Sequence, residues 1–226
     1  MDFGFSEEQN ILRDQVKRFV KERCPMHRVR EILGTDDRFD EALWKEICDL
    51  GWLALIIPEK YGGLGLGWVD LTVVLEETAA GLCPLPIASQ SLAATAILLC
   101  GDEQQKAKWL PEIAQGKMVS TLALYDDPNW ISPDAIFCQA TKTDNGFNLE
   151  GSKPFVNGAT LSNWLFLTIR SESSLILAKL EKDQCDVQFE PTMDETKVMG
   201  RVDLNGLRVD QSDCMILSEE DLSTLT

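Results

Sequence analysis

Histidine occurs once, at His27, and the seven cysteines (24, 48, 83, 100, 138, 185 and 214) are scattered without a CxxC pair. Those two shortages make a Cys/His metal site improbable and suit reduced thiols in a cytosol-like compartment rather than a disulfide framework. Positive charge is also scarce: 21 Lys and Arg face 37 Asp and Glu, a formal charge of −16. Non-specific binding to nucleic acid or to an anionic membrane surface is therefore disfavoured. The longest apolar run, Leu92 to Cys100, is broken by Thr95 and too short to span a bilayer. The opening residues show no basic n-region and no apolar h-region, so no signal peptide is expected, and the predicted compartment is the cytoplasm.

Helical patterning fills the first half. Ser6 with Gln9 is a capping-box signal, and Leu12, Val16, Phe19 and Val20 follow as one stripe toward a stop near Cys24, before Pro25. A second helix is expected from about Asp40, with Leu43, Trp44, Ile47 and Leu50 inward and Gly51 as its stop. Asp70 can cap a third, carrying Leu71, Val74 and Leu75. A fourth, roughly Ser89 to Cys100, is apolar nearly all round and so should be central. Asp102 with Gln105 opens a fifth with Trp109, Leu110 and Ile113 on one face, and Pro111 suits the first turn of a separate short helix.

After Gly116 the period falls from near 3.6 to near 2. Val119 to Leu124, Ala135 to Thr143, Phe147 to Val156, Trp164 to Ile169, Leu175 to Leu180, Val198 to Leu204 and Cys214 to Leu217 read as strands. Asp144-Asn145-Gly146 is a hairpin turn. Helices followed by a run of strands imply an α+β fold of two modules. An all-α domain over residues 1–116 precedes a small antiparallel β barrel or sandwich over 117–226.

Three local strings stand out. Pro58-Glu59-Lys60-Tyr61-Gly62-Gly63-Leu64-Gly65 joins two helical stretches, but has neither GxGxxG after a strand nor P-loop spacing, and reads as an inter-helix turn. Gly101-Asp102-Glu103-Gln104-Gln105-Lys106 has a complete structural account as stop, cap and first turn. Gly151-Ser152-Lys153-Pro154-Phe155-Val156 lies among strands, where Phe155 would ordinarily be a core residue.

In their order, these strings resemble the first two domains of the acyl-CoA dehydrogenase family, from Phe3 to about Leu217. The resemblance implies an oxidoreductase of lipid metabolism that uses FAD to desaturate an acyl-CoA thioester, working as a homo- or hetero-oligomer. In the family a Thr-Glu-Pro string followed by Gly-Ser meets the flavin ring and pyrophosphate. Aligned without gaps, Tyr125 stands at the Thr, and Trp130-Ile131 at the Gly-Ser, removing the close backbone approach that Gly permits. Leu124 and Tyr125 are then expected to reach the ring through main-chain groups. A second family string, Gly-x-Lys-x-aromatic-Ile/Val-Thr/Ser, is matched by Phe155 and Val156, with Asn157 replacing the hydroxyl residue but keeping a donor. The resemblance also assigns Leu85, Ala88 and Leu92 to the acyl-chain pocket.

The family's general base is a Glu of a C-terminal helical domain that would begin about where these residues stop. No catalytic residue is therefore expected here, and Ser218-Glu219-Glu220-Asp221 is expected to be a linker toward that domain. His27, beside Arg28 and Arg30, is expected at the surface. Three readings stay open: part of a dehydrogenase, a non-catalytic subunit pairing with a complete dehydrogenase, or a related flavin oxidase or hydroxylase.

Overall fold

In a computed structural model the structure describes residues 4–127, 133–172 and 174–225. Six helices come first: α1 (Glu7–Arg23), α2 (Met26–Leu33), α3 (Glu41–Asp49), α4 (Trp68–Ala80), α5 (Ile87–Cys100) and α6 (Glu103–Ala114). Ser6 and Gln9 form the expected capping box on α1, and Asp102 and Gln105 form the one on α6. Helix α2 is an addition to the expected set, because Pro25 serves as the N-cap of a new helix while the chain turns. Pro111 lies inside α6 rather than starting another helix. It removes one bond, to the Ala107 carbonyl, while Leu110, Ile113 and Ala114 carry the buried face past it.

The glycine string folds back on the preceding turn. Leu64, Gly65 and Leu66 donate their N–H groups to the carbonyls of Ala54, Ile57 and Leu55. A Cβ at Gly63 would stand 1.9 Å from the Ile57 oxygen. With those donors engaged, the loop is a connector and not a phosphate cradle.

Ten strands follow: β1 (Ser120–Ala123), β2 (Gln139–Lys142), β3 (Gly146–Glu150), β4 (Ser152–Asn157), β5 (Trp164–Ser171), β6 (Leu175–Glu181), β7 (Asp186–Glu190), β8 (Met199–Asp203), β9 (Arg208–Asp210) and β10 (Cys214–Leu217). A seven-stranded sheet runs β10-β6-β5-β2-β3-β9, with β1 also on β5; a second sheet runs β4-β8-β7. Pairing is mostly antiparallel, but β1 and β2 both lie parallel to β5. The expected strand Phe147 to Val156 is two strands in different sheets, parted at Gly151 with φ +117°. The expected strand from Ala135 starts only at Gln139, since the Asp126 carboxylate takes the N–H groups of Phe137 and Cys138.

The seven-stranded sheet is covered on one face by helices, with Ile97, Trp109 and Ile113 packed among Trp164, Phe166 and Leu177. Its other face shares a core with the smaller sheet through Leu149, Val156, Leu165, Leu167 and Val202. Buried amides join the layers. Gln90 of α5 donates to the Ile113 and Met118 carbonyls and accepts from the Ser120 N–H at 2.6 Å. Gln105 of α6 donates to the carbonyls of Ser212 and Cys214, holding β10.

Strand β5 pairs β1 through Trp164–Leu167 and β2 through Arg170 and Ser171, so the sheet forks at Thr168. Lys153 of β4 fills the fork with no exposed side-chain surface. Its Nζ lies 2.5 Å from Asp126 Oδ1 and donates to the Leu124 carbonyl and Thr168 Oγ1, both at 3.0 Å. Burial pushes the Lys153 ammonium below its ordinary pKa, while the carboxylate of Asp126 pulls the other way.

Three stability measurements test these joints. Gln90→Leu takes the side-chain partner from the Met118 carbonyl and the Ser120 N–H, while the Ile113 carbonyl keeps the Gly116 N–H, and should lower unfolding free energy by roughly 2 kcal/mol or more; a loss below half that would show the groups find other partners. Lys153→Met strands the Asp126 carboxylate and should cost about 3–5 kcal/mol, as for other broken buried pairs. Adding Asp126→Asn should recover part of it, because the amide oxygen still accepts from Phe137 and Cys138. Burial also pushes Cys48 and Cys185 up to about 11, and Cys100, Cys138 and Cys214 up to about 12. Unfolded thiols lose their protons from about pH 8.5, while the folded ones keep theirs. Stability should therefore fall as pH rises from there through the folded values. A urea midpoint unchanged between pH 7.5 and 10 would contradict that sign.

Candidate functional site

Where β1 leaves the sheet and β4 bends, the two strands enclose an open cleft of about 230 Å³. It is lined by Leu122, Ala123, Leu124, Tyr125, Asp127 and the run Pro154 to Asn157. All five residues expected at a flavin ring (Leu124, Tyr125, Phe155, Val156 and Asn157) thus share one cleft. Strand β4 pairs β8 at Ser152 and Lys153 and again at Val156 and Asn157, with a bulge between. Within that bulge Phe155 has φ +51°, which for a bulky residue is a genuine outlier. Phe155 is left 44% exposed on the cleft wall, while Val156 is buried in the core between the sheets.

Polar groups fix both strands. The Asn157 carbonyl accepts from Thr121 Oγ1 at 2.6 Å and Ser89 Oγ at 3.1 Å, which ties β4 to β1 and to α5. The Leu124 carbonyl is taken inward by Lys153 and Thr168. That carbonyl is therefore engaged away from the cleft, which Leu124 still lines. Trp130 and Ile131, at the Gly-Ser positions, lie outside the described residues.

The three acyl-pocket candidates are not in this cleft. Ala88 and Leu92, one helical turn apart, sit on the exposed face of α5, with Leu92 39% exposed. Leu85 instead packs against the core formed by α1, α3 and α4. His27 is exposed on α2. The segment expected as a linker folds: Ser218 caps a short helix, α7 (Glu219–Thr224), and Leu222 and Leu225 are buried in the helix–sheet core. Its signal was a capping box, Ser218 with Asp221, followed by apolar residues three apart. Among the described residues no group of three or more His, Cys, Asp or Glu is placed to hold a metal. No helix there is long and apolar enough to cross a membrane.

Sequence reading passed over Thr121, Ser89, Asp126 and Glu190, all of which shape the cleft. Glu190 accepts from the Phe155 N–H across 35 positions of sequence, and no local pattern announces such a bond. Lys153 was visible within its string, but its burial was not.

Residues 6–117 match the family model described as acyl-CoA dehydrogenase, N-terminal domain. The chain is 30% identical over 172 residues to (2S)-methylsuccinyl-CoA dehydrogenase of Cereibacter sphaeroides, covering 75% of this chain and 31% of that protein. Its fold superposes on a chain of the ChsE4-ChsE5 complex from Mycobacterium tuberculosis with TM-score 0.89 at 24% identity, covering 100% of this chain and 61% of that one. A glutaryl-CoA dehydrogenase from Mycobacterium smegmatis in complex with FADH2 gives TM-score 0.82 at 19% identity, over 93% and 55%. The chain therefore spans about a third of that curated relative and under two thirds of the solved chains. On the matched residues and these likenesses, the chain belongs to the acyl-CoA dehydrogenase family.

Proposed function

We propose that these residues form two domains, 1–116 and 117–226, of an FAD-dependent acyl-CoA dehydrogenase, and supply one wall of its flavin site. The observation that carries this is the convergence of Leu124, Tyr125, Phe155, Val156 and Asn157 on one cleft. The lining suits the isoalloxazine: Leu124 and Phe155 give an apolar wall, and the Asn157 amide offers both a donor and an acceptor. When bound, FAD supplies the redox chemistry, taking up the two electrons released as the acyl chain becomes α,β-unsaturated. The chain's own part is to bind and orient, and to keep water from the ring with the Phe155 face.

The carboxylate that removes the thioester's α-proton must come within hydrogen-bond reach of it. Asp126 is held by Lys153, and among the described residues we assign no base. The base, with the rest of the flavin enclosure, comes from a further segment or a partner subunit. The seven free thiols favour a reducing compartment such as the cytoplasm.

A second reading is a non-catalytic subunit paired with a complete dehydrogenase. Tyr125 at the family's Thr position supports it. So does a likeness, at 25% identity and TM-score 0.84, to a chain described as Tcur3481-Tcur3483 steroid ACAD.

The purified 226-residue chain should bind FAD weakly and show no turnover with a panel of acyl-CoAs and an artificial electron acceptor. A cleft of this size encloses only part of such a ligand. Supplying the remaining segment or partner should raise both the flavin absorbance and the turnover. Phe155→Ala in that assembly should weaken FAD about tenfold, through lost apolar contact. A stoichiometrically yellow and active 226-residue chain would sink this reading; a partner whose own base and flavin suffice for turnover would favour the second.

A further inference from the structure

The Pro154-Phe155 bulge has one orphan donor. Pro154 has no N–H, and Phe155, outside the β4–β8 register, cannot give its own to the ladder. On this exposed stretch water could satisfy the donor, but a charged side chain takes it instead. Glu190 Oε2 accepts from the Phe155 N–H at 2.6 Å. The other carboxylate oxygen, Oε1, lies 2.6 Å from Arg201 Nη2. Glu190 ends β7 opposite Met199, and Arg201 lies two residues further along β8. The Glu190 side chain is 15% exposed and that of Arg201 44%, so solvent screens the pair from the arginine side while the carboxylate stays turned toward the bulge. Charge-assisted bonds of this kind are short and strong. They suit a place where the backbone must be held at φ +51° against its own preference.

On this geometry we infer that Glu190, locked by Arg201, is a positioning residue that fixes the bulge and so presents the Phe155 ring to the flavin. The inference rests on the flavin reading of the cleft and goes beyond it, because Glu190 does not line the cleft. Its effect passes through a backbone bond to a residue that does. Removing the carboxylate frees the Phe155 N–H and lets the peptide relax toward extended φ, which turns the phenyl ring off the wall.

The test has two arms. In protein labelled with ¹⁵N at phenylalanine, the Phe155 amide proton should resonate far downfield and exchange slowly. In Glu190→Leu it should move upfield and exchange faster, and in Glu190→Gln, whose amide oxygen still accepts, it should lie between. In the assembly that binds FAD, Glu190→Leu should weaken the flavin roughly tenfold or more, as misplacement of a contact residue does. Glu190→Gln should stay within about threefold of wild type. A merely structural role is separated by a double-mutant cycle: in a Phe155→Ala background, Glu190→Leu should have little further effect on FAD. Equal losses in both backgrounds would overturn the inference, as would an unmoved Phe155 amide in Glu190→Leu. Thermal unfolding of each variant checks that it folds, and Glu190→Gln keeps the test decisive if Glu190→Leu does not. If wild type binds no FAD in any assembly, the flavin reading fails and takes the role of Phe155 with it. The amide arm would still show whether Glu190 holds the bulge.

Discussion

A lysine ammonium with no exposed side-chain surface must be neutralised and hydrogen-bonded where it sits, and the β part of this protein is arranged around meeting that demand for Lys153. The groups that meet it come from separate places: the Asp126 carboxylate and Leu124 carbonyl from the end of β1, and the Thr168 hydroxyl from β5. Strand β5 changes partner from β1 to β2 around Thr168. A fork in a sheet leaves carbonyls without ladder partners. Lys153, arriving from the second sheet, supplies donors to that gap and so joins the two sheets at the point where β1 departs.

The same chain that is clamped at Lys153 is clamped again two residues later, where the Phe155 N–H meets Glu190. Between the clamps the register slips and φ turns positive. An unsupported bulge with a strained phenylalanine would relax. Held by a buried ion pair on one side and a charge-assisted bond on the other, it keeps the ring on the cleft wall. Two residues further, the Asn157 carbonyl is tied to Thr121 and Ser89. Fixing the bulge on both sides pre-organises the wall, so a ligand would not have to order it on binding.

How legible this was depends on whether the cause is local. The capping boxes at Ser6 and Asp102, the Asp144-Asn145-Gly146 turn and the change of period after Gly116 act within a few residues, and they appear in the structure as the sequence implies. Of the string Gly151 to Asn157, the residues Phe155, Val156 and Asn157, to which the resemblance attached roles, line the cleft. What sequence could not show is where long-range demands override local ones. Phe147 to Val156 has strand propensity throughout, but Gly151 sends its halves into different sheets. Ala135 to Thr143 has it too, but Asp126 captures the amides the ladder would use. Pro111 is a helix breaker by local rule, but three buried residues around it keep α6 continuous. Ala88 and Leu92 read equally well as core or pocket, and only the packing of α5 on β1 through Gln90 puts them on its outer face.

Charge sets the last constraint on the cleft. Its described lining includes an acidic residue, Asp127, and no Lys or Arg, and Lys153 behind it is already matched by Asp126. The chain as a whole carries −16. A dinucleotide cofactor and a CoA thioester both bring phosphates, which need fixed donors or cations at close range, and low dielectric makes an unmatched phosphate worse. The described lining suits an uncharged ring and offers a diphosphate no Lys or Arg. An apolar wall with an amide at one end, an exposed phenyl ring and no cation suits one part of such ligands only. On the proposed reading, the charged parts meet groups other than the described lining of this cleft, just as the base does.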